Sequence, residues 1–312
     1  MEKFYYNQTA EKTLAAFTNG GRFPHAILLE GPAGSGRRTF ARRIAAALCC
    51  RSEGPRPCGV CSQCHKVLTG QHPDIEEVGG DGGRRSFHID TIRRIRREAY
   101  IRPGEAPCKV YILLSAENMT VQAQNALLKI LEEPPAQAMF LLTAENRTML
   151  LPTILSRVQV LRLESLTPAQ IAAALAELRP GLPEGDRLWA AQHSETIGGA
   201  LSLLEDPDQG KTARLADQVF ALLEGGSEYE LLAALHPLEK KRDALGELCE
   251  ELRRRFSREL AAAAAGGEAR FSARQLTLAL DALDDLLTRI RQNGNALLLT
   301  TLLAARLKEA IG

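Results

Sequence analysis

Five of the seven cysteines in this chain fall within a sixteen-residue window: Cys49, Cys50, Cys58, Cys61 and Cys64. Cys58-Gly-Val-Cys61-Ser-Gln-Cys64 is a CxxCxxC run, spaced so that one small loop can wrap an ion with soft thiolate ligands. Tetrahedral Zn2+ requires four such ligands, and the run supplies three. Counting along the helix expected from Gly36 favours Cys50 as the fourth, with Cys49 turned toward the core. His65 is a weaker candidate, because adjacent Cys64 and His65 rarely bind one ion together. The expected set is therefore Cys50, Cys58, Cys61 and Cys64, closed around a structural Zn2+ with no open position for catalysis. A redox-active CxxC and an iron–sulfur cluster are competing readings. Clustered cysteines used as ligands and not as disulfides suit a reducing compartment.

A second chemical cluster lies just upstream. Gly31-Pro-Ala-Gly34-Ser-Gly36-Arg37-Arg38-Thr39 follows a strand-like run and opens a helical one, the setting of a phosphate-binding loop. Glycines there let successive N–H groups converge on a phosphate, and the helix N-terminus adds positive potential. The lysine and hydroxyl of the usual pattern are replaced by Arg37 and Arg38, and Thr39 comes one residue late. Arg37 keeps a charge, but a planar guanidinium does not reproduce a compact ammonium. Arg38 removes the hydroxyl that would hold Mg2+. Three readings stay open: a glycine turn without ligand, which is favoured; residual ATP binding through Gly31, Gly34, Gly36, Arg37 and Thr39; and hydrolysis by an atypical arginine loop.

The elements that must position these residues alternate. Apolar runs over 25–31, 109–115, 138–144 and 158–163 read as strands, the middle two buried on both faces. Helical patterns cover 37–48, 90–100 and 121–133, the last stopped by Pro134 and Pro135. Such βαβ alternation predicts a parallel sheet flanked by helices. After residue 164 the composition turns wholly helical, with Thr167 as N-cap and Pro168 at the first helical position. A break at 205–210 precedes a final block of four or five helices. In the 90–100 helix, Arg93, Arg94, Arg96 and Arg97 surround Ile89, Ile92 and Ile95, so the isoleucines should face the core. The arginines then form a solvated face or, alternatively, a sequence-independent contact with DNA backbone.

Composition excludes some functions. The 312 residues are enough for two or three domains. With 39 basic and 38 acidic side chains the net charge is +1, which does not describe a strongly basic nucleic-acid binder. Aromatic residues make up only 5%, too few for a stacked-ring single-strand surface. No stretch approaches the ~20 apolar residues that cross a bilayer, and the first residues lack a signal-peptide pattern, so a cytoplasmic location is expected.

At this point the chain resembles the delta-prime subunits of bacterial DNA polymerase III clamp loaders, strongly over residues 1–163. The segments that carry the likeness are His25-Ala26, GPAGSGRRT, PCGVCSQC followed by Gly70-Gln-His72-Pro73-Asp74, Asn125-Ala-Leu-Leu-Lys129-Ile-Leu-Glu132-Glu133-Pro134-Pro135, and Leu151-Pro152-Thr153-Ile154-Leu155-Ser156-Arg157-Val158. The last is similar to the family's SRC motif, with Val158 in place of Cys. The resemblance implies an AAA+ α/β core over 1–163 with a zinc insert at 49–68, a helical lid over 164–207 and an all-α collar over 208–312. It assigns Arg157, with Ser156 beside it, as a trans arginine finger for a neighbour's ATP. Against active relatives, Leu114 and Ser115 stand where two catalytic acids belong, and Gly199 where the sensor-2 arginine belongs; Glu117 is expected to cap the following turn. The implied role is a subunit that hydrolyses no ATP itself, works within the polymerase holoenzyme beside gamma/tau-like and delta-like subunits, and reaches sliding clamp and primer-template DNA through that complex, with no membrane partner. The alternative is an AAA+ ATPase active in its own right.

Overall fold

The apolar runs become strands because successive side chains point to opposite faces and both faces are covered. Ile27 and Leu29 of β1 (Ala26–Glu30) join one buried cluster, while Leu28 joins the other. In the computed structural model, which describes residues 4–79, 89–267 and 269–311, five parallel strands lie in the order β2-β3-β4-β1-β5. The remaining strands are β2 (Ile75–Gly79), β3 (Lys109–Leu114), β4 (Ala138–Ala144) and β5 (Gln159–Arg162). The outermost limits of the expected domains, residues 1 and 312, lie outside the described residues.

The chain divides into two compact units, Met1–Leu201 and Ser202–Gly312. The first contains the sheet with α1 (Gln8–Gly20), α2 (Arg37–Cys49), α3 (Ser62–Leu68), α4 (Ile89–Glu98), α5 (Val121–Glu132), α6 (Pro152–Leu155), α7 (Pro168–Leu178) and α8 (Glu184–Gln192). Phe40 and Ile44 of α2 pack on one face of the sheet, and Ile92, Ile95 and Leu127 of α4 and α5 on the other. As the pattern predicted, Thr167 caps α7 in a reciprocal box with Gln170, and Pro168 opens the helix. Ile92 and Ile95 are buried, and Arg93 is exposed beside Asp90 at 3.2 Å.

The sequence pattern missed strand β2. Among the described residues it is an edge strand that pairs with β3 alone, and it carries Glu76 and Glu77 where an apolar run would be expected. Ile75 and Val78 pack against the two buried clusters, and the two glutamates between them are paired. Glu76 meets Arg94, and Glu77 accepts from Arg38 Nε and Arg42 Nη2, both at 2.9 Å. Burial alone would raise the Glu77 carboxyl, but the two guanidinium groups outweigh it and hold it below the usual range.

Helix α9 (Ile197–Glu205) runs across the division between the units. The second unit is helical: α10 (Pro207–Gly225), α11 (Glu228–Leu235), α12 (Arg242–Ala264), α13 (Ala273–Arg291) and α14 (Ala296–Ile311). Its core includes Phe220 and Phe256, whose rings stack with centroids 4.5 Å apart. Arg255 is buried within it, paired with Glu251 and Asp217 and donating to Ala213 O. Among the described residues no helix is long and apolar enough to cross a membrane.

Candidate metal centre and the two edges of the sheet

Helix α2 runs to Cys49, and Cys50 leaves it in an extended conformation, φ −65° and ψ 130°. That single change of backbone separates the two adjacent cysteines. Cys49 stays in the core, its thiol pushed up to about 12, chiefly by burial. Cys50 joins Cys58, Cys61 and Cys64, and the four sulfurs all lie within 4.8 Å of one another. A tetrahedron with metal–sulfur bonds of about 2.3 Å has edges of about 3.8 Å; Cys58 Sγ and Cys64 Sγ already stand 3.9 Å apart. His65 is exposed and outside the group.

Local geometry prepares the thiols. Gly59, at φ 75°, turns the chain between Cys58 and Cys61, a conformation that glycine adopts without steric cost. Cys61 caps α3 and accepts the N–H of Cys64 at 3.5 Å, and Cys58 accepts that of Cys61 at 3.4 Å. Cys50 accepts from Ser52 and Cys58. Backbone donors from Cys64 and Arg51 lower Cys61 to about 6, and those from Val60 and Cys61 lower Cys58. Cys64 is raised, mainly by burial; a coordinated cation would reverse that, since it deprotonates a ligating thiol outright. The donor set fits a metal ion.

Gln63 of α3 ties this loop to the sheet. His72 Nε2 lies 2.6 Å from Gln63 Oε1, and His72 Nδ1 accepts the N–H of Asp74 at 3.1 Å. The Asp74 carboxylate in turn accepts N–H groups from Gly104, Glu105 and Ala106 at 2.7–2.9 Å. Burial would raise this carboxyl, but the three donors outweigh it and hold it down.

In a parallel sheet every strand ends at the same edge. The carboxyl edge gathers Gly31, Arg37, Ser115, Glu117 and Glu145. The glycine loop keeps the shape of a phosphate cradle, with Gly34 at φ 76° and Gly36 at φ 86° opening α2. Its contents are protein. Gly34 O accepts the N–H of Gly198, Thr196 Oγ1 donates to Ala33 O at 2.8 Å, and a Cβ on Gly34 would lie 2.4 Å from Gly199 N. A Cβ on Gly36 would meet the ring of Phe4 at 2.9 Å. Thr39 lines a cavity of about 250 Å3 with Phe4, Leu178 and Ile197.

Arg37 reaches two neighbouring acids, Nη2 at 3.1 Å from Glu145 and Nη1 at 3.9 Å from Glu117, and Nη1 is buried without a hydrogen bond among the described residues. Glu117 does not cap the turn that follows it; its Oε1 accepts the N–H of Glu145 across the edge at 3.2 Å. The left-handed backbone of Ser115, φ 54°, carries the chain away from β3 and presents its N–H to Thr143 Oγ1 at 2.9 Å. Leu114 is buried. Thr143 and Glu145 escaped the sequence reading because no spacing signal links them to the glycine loop.

Arg157 and Ser156 lie at the other, amino edge, in the turn between α6 and β5. The five residues of β1 and its flanks put about 20 Å between the His25 end and the Gly31 end. Arg157 Nη1 donates to Thr153 O at 2.8 Å and Ser156 Oγ at 3.0 Å, and Nη2 lies 2.9 Å from Glu132 Oε1. These side chains face a concavity of about 690 Å3 that Pro24, His25 and Leu131 help to line. The structure thus brings the glycine-loop residues together and keeps Arg157 apart from them.

A family profile described as DNA polymerase III, delta subunit, matches residues 6–167. The chain is 37% identical over 156 residues to the DNA polymerase III delta′ subunit of Bacillus subtilis, covering 50% of this chain and 47% of that protein. It is 30% identical over 230 residues to the delta′ subunit of Escherichia coli, covering 72% of this chain and 68% of that one. The match thus spans about half the length of the Bacillus relative. In fold it is similar to a gamma subunit-related protein of Thermotoga maritima, with a TM-score of 0.50 at 20% identity over 96% of this chain and 99% of the other. The profile and the Escherichia coli relative together define the family: this chain belongs to the delta′ family of DNA polymerase III clamp-loader subunits.

Proposed function

We propose that this chain is a non-hydrolysing clamp-loader subunit that lends Arg157 to the ATP site of a neighbouring gamma/tau-like subunit. The observation that carries the reading is the separation of the two edges. A charged guanidinium half-open to solvent lies at the amino edge, out of reach of its own glycine loop. Its distance from its own glycine loop is what a role at a neighbouring chain's nucleotide requires. An arginine suits that task because its planar fork is always charged and can bind two phosphate oxygens. Ser156 orients it through the Nη1 contact.

The state of the carboxyl edge supports the other half of the proposal. Phosphoryl transfer requires a metal and a positioned nucleophile. Leu114 and Ser115 offer no carboxylate, Gly199 offers no cation, and Arg37 pairs at one nitrogen with Glu145, which competes with any phosphate for its charge. Gly31, Gly34, Gly36 and Thr39 act here as packing positions, with Gly198 and Gly199 seated on the loop.

The metal in this reading is Zn2+, held by Cys50, Cys58, Cys61 and Cys64 as a closed structural site that orders the 49–68 insert. Residues 164–207 serve as lid and 208–312 as collar, joining this chain to gamma/tau-like and delta-like subunits. Sliding clamp and primer-template DNA are met through that assembly. The test is ATP hydrolysis by the chain alone and after reconstitution with a gamma/tau-type ATPase. No turnover alone, and loss of partner turnover on Arg157→Ala with the assembly intact, is the expected pair of results. Turnover by the chain alone that Arg37→Ala abolishes would overturn the proposal in favour of an atypical ATPase.

A further inference from the structure

Arg157 already has a rival for its charge inside its own chain. Nη1 is held by neutral acceptors, Thr153 O and Ser156 Oγ. Nη2 faces an anion, Glu132 Oε1, at 2.9 Å. These contacts differ in kind. Thr153 of α6 and Ser156 just after it directly precede Arg157, so they fix where the guanidinium sits. Glu132 is the last residue of α5, a separate element. The ion pair is 34% exposed on the arginine side and 48% on the glutamate side. A pair that open to water is weakly held and readily exchanged.

Resting on the trans-arginine reading above, the geometry points to Glu132 as an exchangeable counter-ion: a positioning residue that covers Arg157 until the terminal phosphate of a neighbour's nucleoside triphosphate displaces it. In the exchange Nη2 gives up a carboxylate oxygen and takes a phosphate oxygen. Nη1 keeps Thr153 O and Ser156 Oγ. No proton moves, because an arginine is charged throughout. The Glu132 carboxylate is released to water, which its exposure permits. Two effects oppose phosphate capture while Glu132 is present: loss of the internal ion pair, and repulsion between two anions meeting at one guanidinium. A phosphate held in register by a partner overcomes both, whereas a stray anion meets a charge already covered.

The experiment uses the full chain reconstituted with a gamma/tau-type ATPase and measures kcat and KM for ATP in wild type, Glu132→Gln, Glu132→Ala and Arg157→Ala. Both Glu132 variants should lower KM by about two- to fivefold, the scale of an exposed ion pair, without a fall in kcat. Glu132→Gln separates charge from packing, since it keeps the length and an acceptor oxygen. If both Glu132 variants lower kcat in the manner of Arg157→Ala, Glu132 is an anchor and the counter-ion assignment is wrong. An unaltered KM also overturns it. If Arg157→Ala itself leaves partner turnover intact in an intact assembly, the trans-arginine reading fails, and this inference fails with it for that separate reason.

Discussion

The two edges of this sheet carry arginines in opposite circumstances. At the carboxyl edge Arg37 is 12% exposed and lies between Glu117 and Glu145, in a loop packed against Phe4 and the 194–199 segment. At the amino edge Arg157 is half-open, held by neutral acceptors on one nitrogen and by one exposed acid on the other. Both edges keep a charge of the kind that binds phosphate. They differ in exposure: Arg157 pairs with one exposed acid, whereas Arg37 lies largely buried between two. Motif shape and motif chemistry are separable on the proposed reading: the glycine turns keep their conformation and pack against Gly198 and Gly199, while Leu114, Ser115 and Gly199 carry no charge.

Removing each arginine in turn separates the roles of the two edges. Arg157→Ala should reduce partner ATP turnover by about 10³–10⁵-fold, the range of trans arginine fingers, while the melting temperature of the isolated chain stays within a degree or two of wild type, as for an exposed residue. Stimulated turnover in a reconstituted assembly and a thermal scan of the chain check both halves. Next in size is loss of the metal. Cys61→Ser should abolish stoichiometric metal by elemental analysis and expose the 49–68 loop to proteolysis, because three ligands no longer close the site.

Gly34→Ala tests whether the carboxyl edge is packing and nothing more. The left-handed backbone alone costs a non-glycine residue about 1–2 kcal/mol, and a Cβ would also strike Gly199 N and Thr196 Oγ1, so the drop should exceed that in chemical denaturation. Arg37→Ala mirrors Arg157→Ala at the other edge. It removes the pair with the exposed Glu145 carboxylate and the longer approach to Glu117, a loss of about 1 kcal/mol or less, yet stimulated partner turnover should persist. Loss of turnover on Arg37→Ala with the fold intact would erase the distinction between the edges.

The smallest effect concerns pH. The Glu77 carboxyl is depressed by Arg42 and Arg38, so its stabilising contribution is present above the unfolded carboxylate range and is lost as pH falls through the folded value. Wild type should thus be more stable than Glu77→Gln near neutral pH. The two melting curves should converge in acid.

Much of this was legible from residue type and period. Continuous apolar runs marked β1, β3 and β4, since burial on both faces leaves no polar alternation to confuse the pattern. Cys50 could be preferred over Cys49 by counting along a helix, because a helix directs neighbouring side chains about 100° apart. Edge strand β2 was hard to see: it is held by its ladder with β3 and by Ile75 and Val78, and Glu76-Glu77, paired with arginines on other elements, interrupts the short apolar signal. Glu117 was misread for the same reason, since its partners Glu145 and Arg37 lie far along the chain.

What the linear chain determined by itself was local: which segments are buried, where helices begin and stop, which thiols are close enough in sequence to share one ion, and which chemical groups the glycine loop lacks. Tertiary structure decided the rest. That Arg157 stands at the opposite edge from its own glycine loop, that Glu132 covers it, and that Gly198 and Gly199 sit on Gly34 all depend on strand order and on contacts between residues tens to more than a hundred positions apart. Such contacts follow from how a sheet twists and closes its core, and no property of neighbouring residues encodes them.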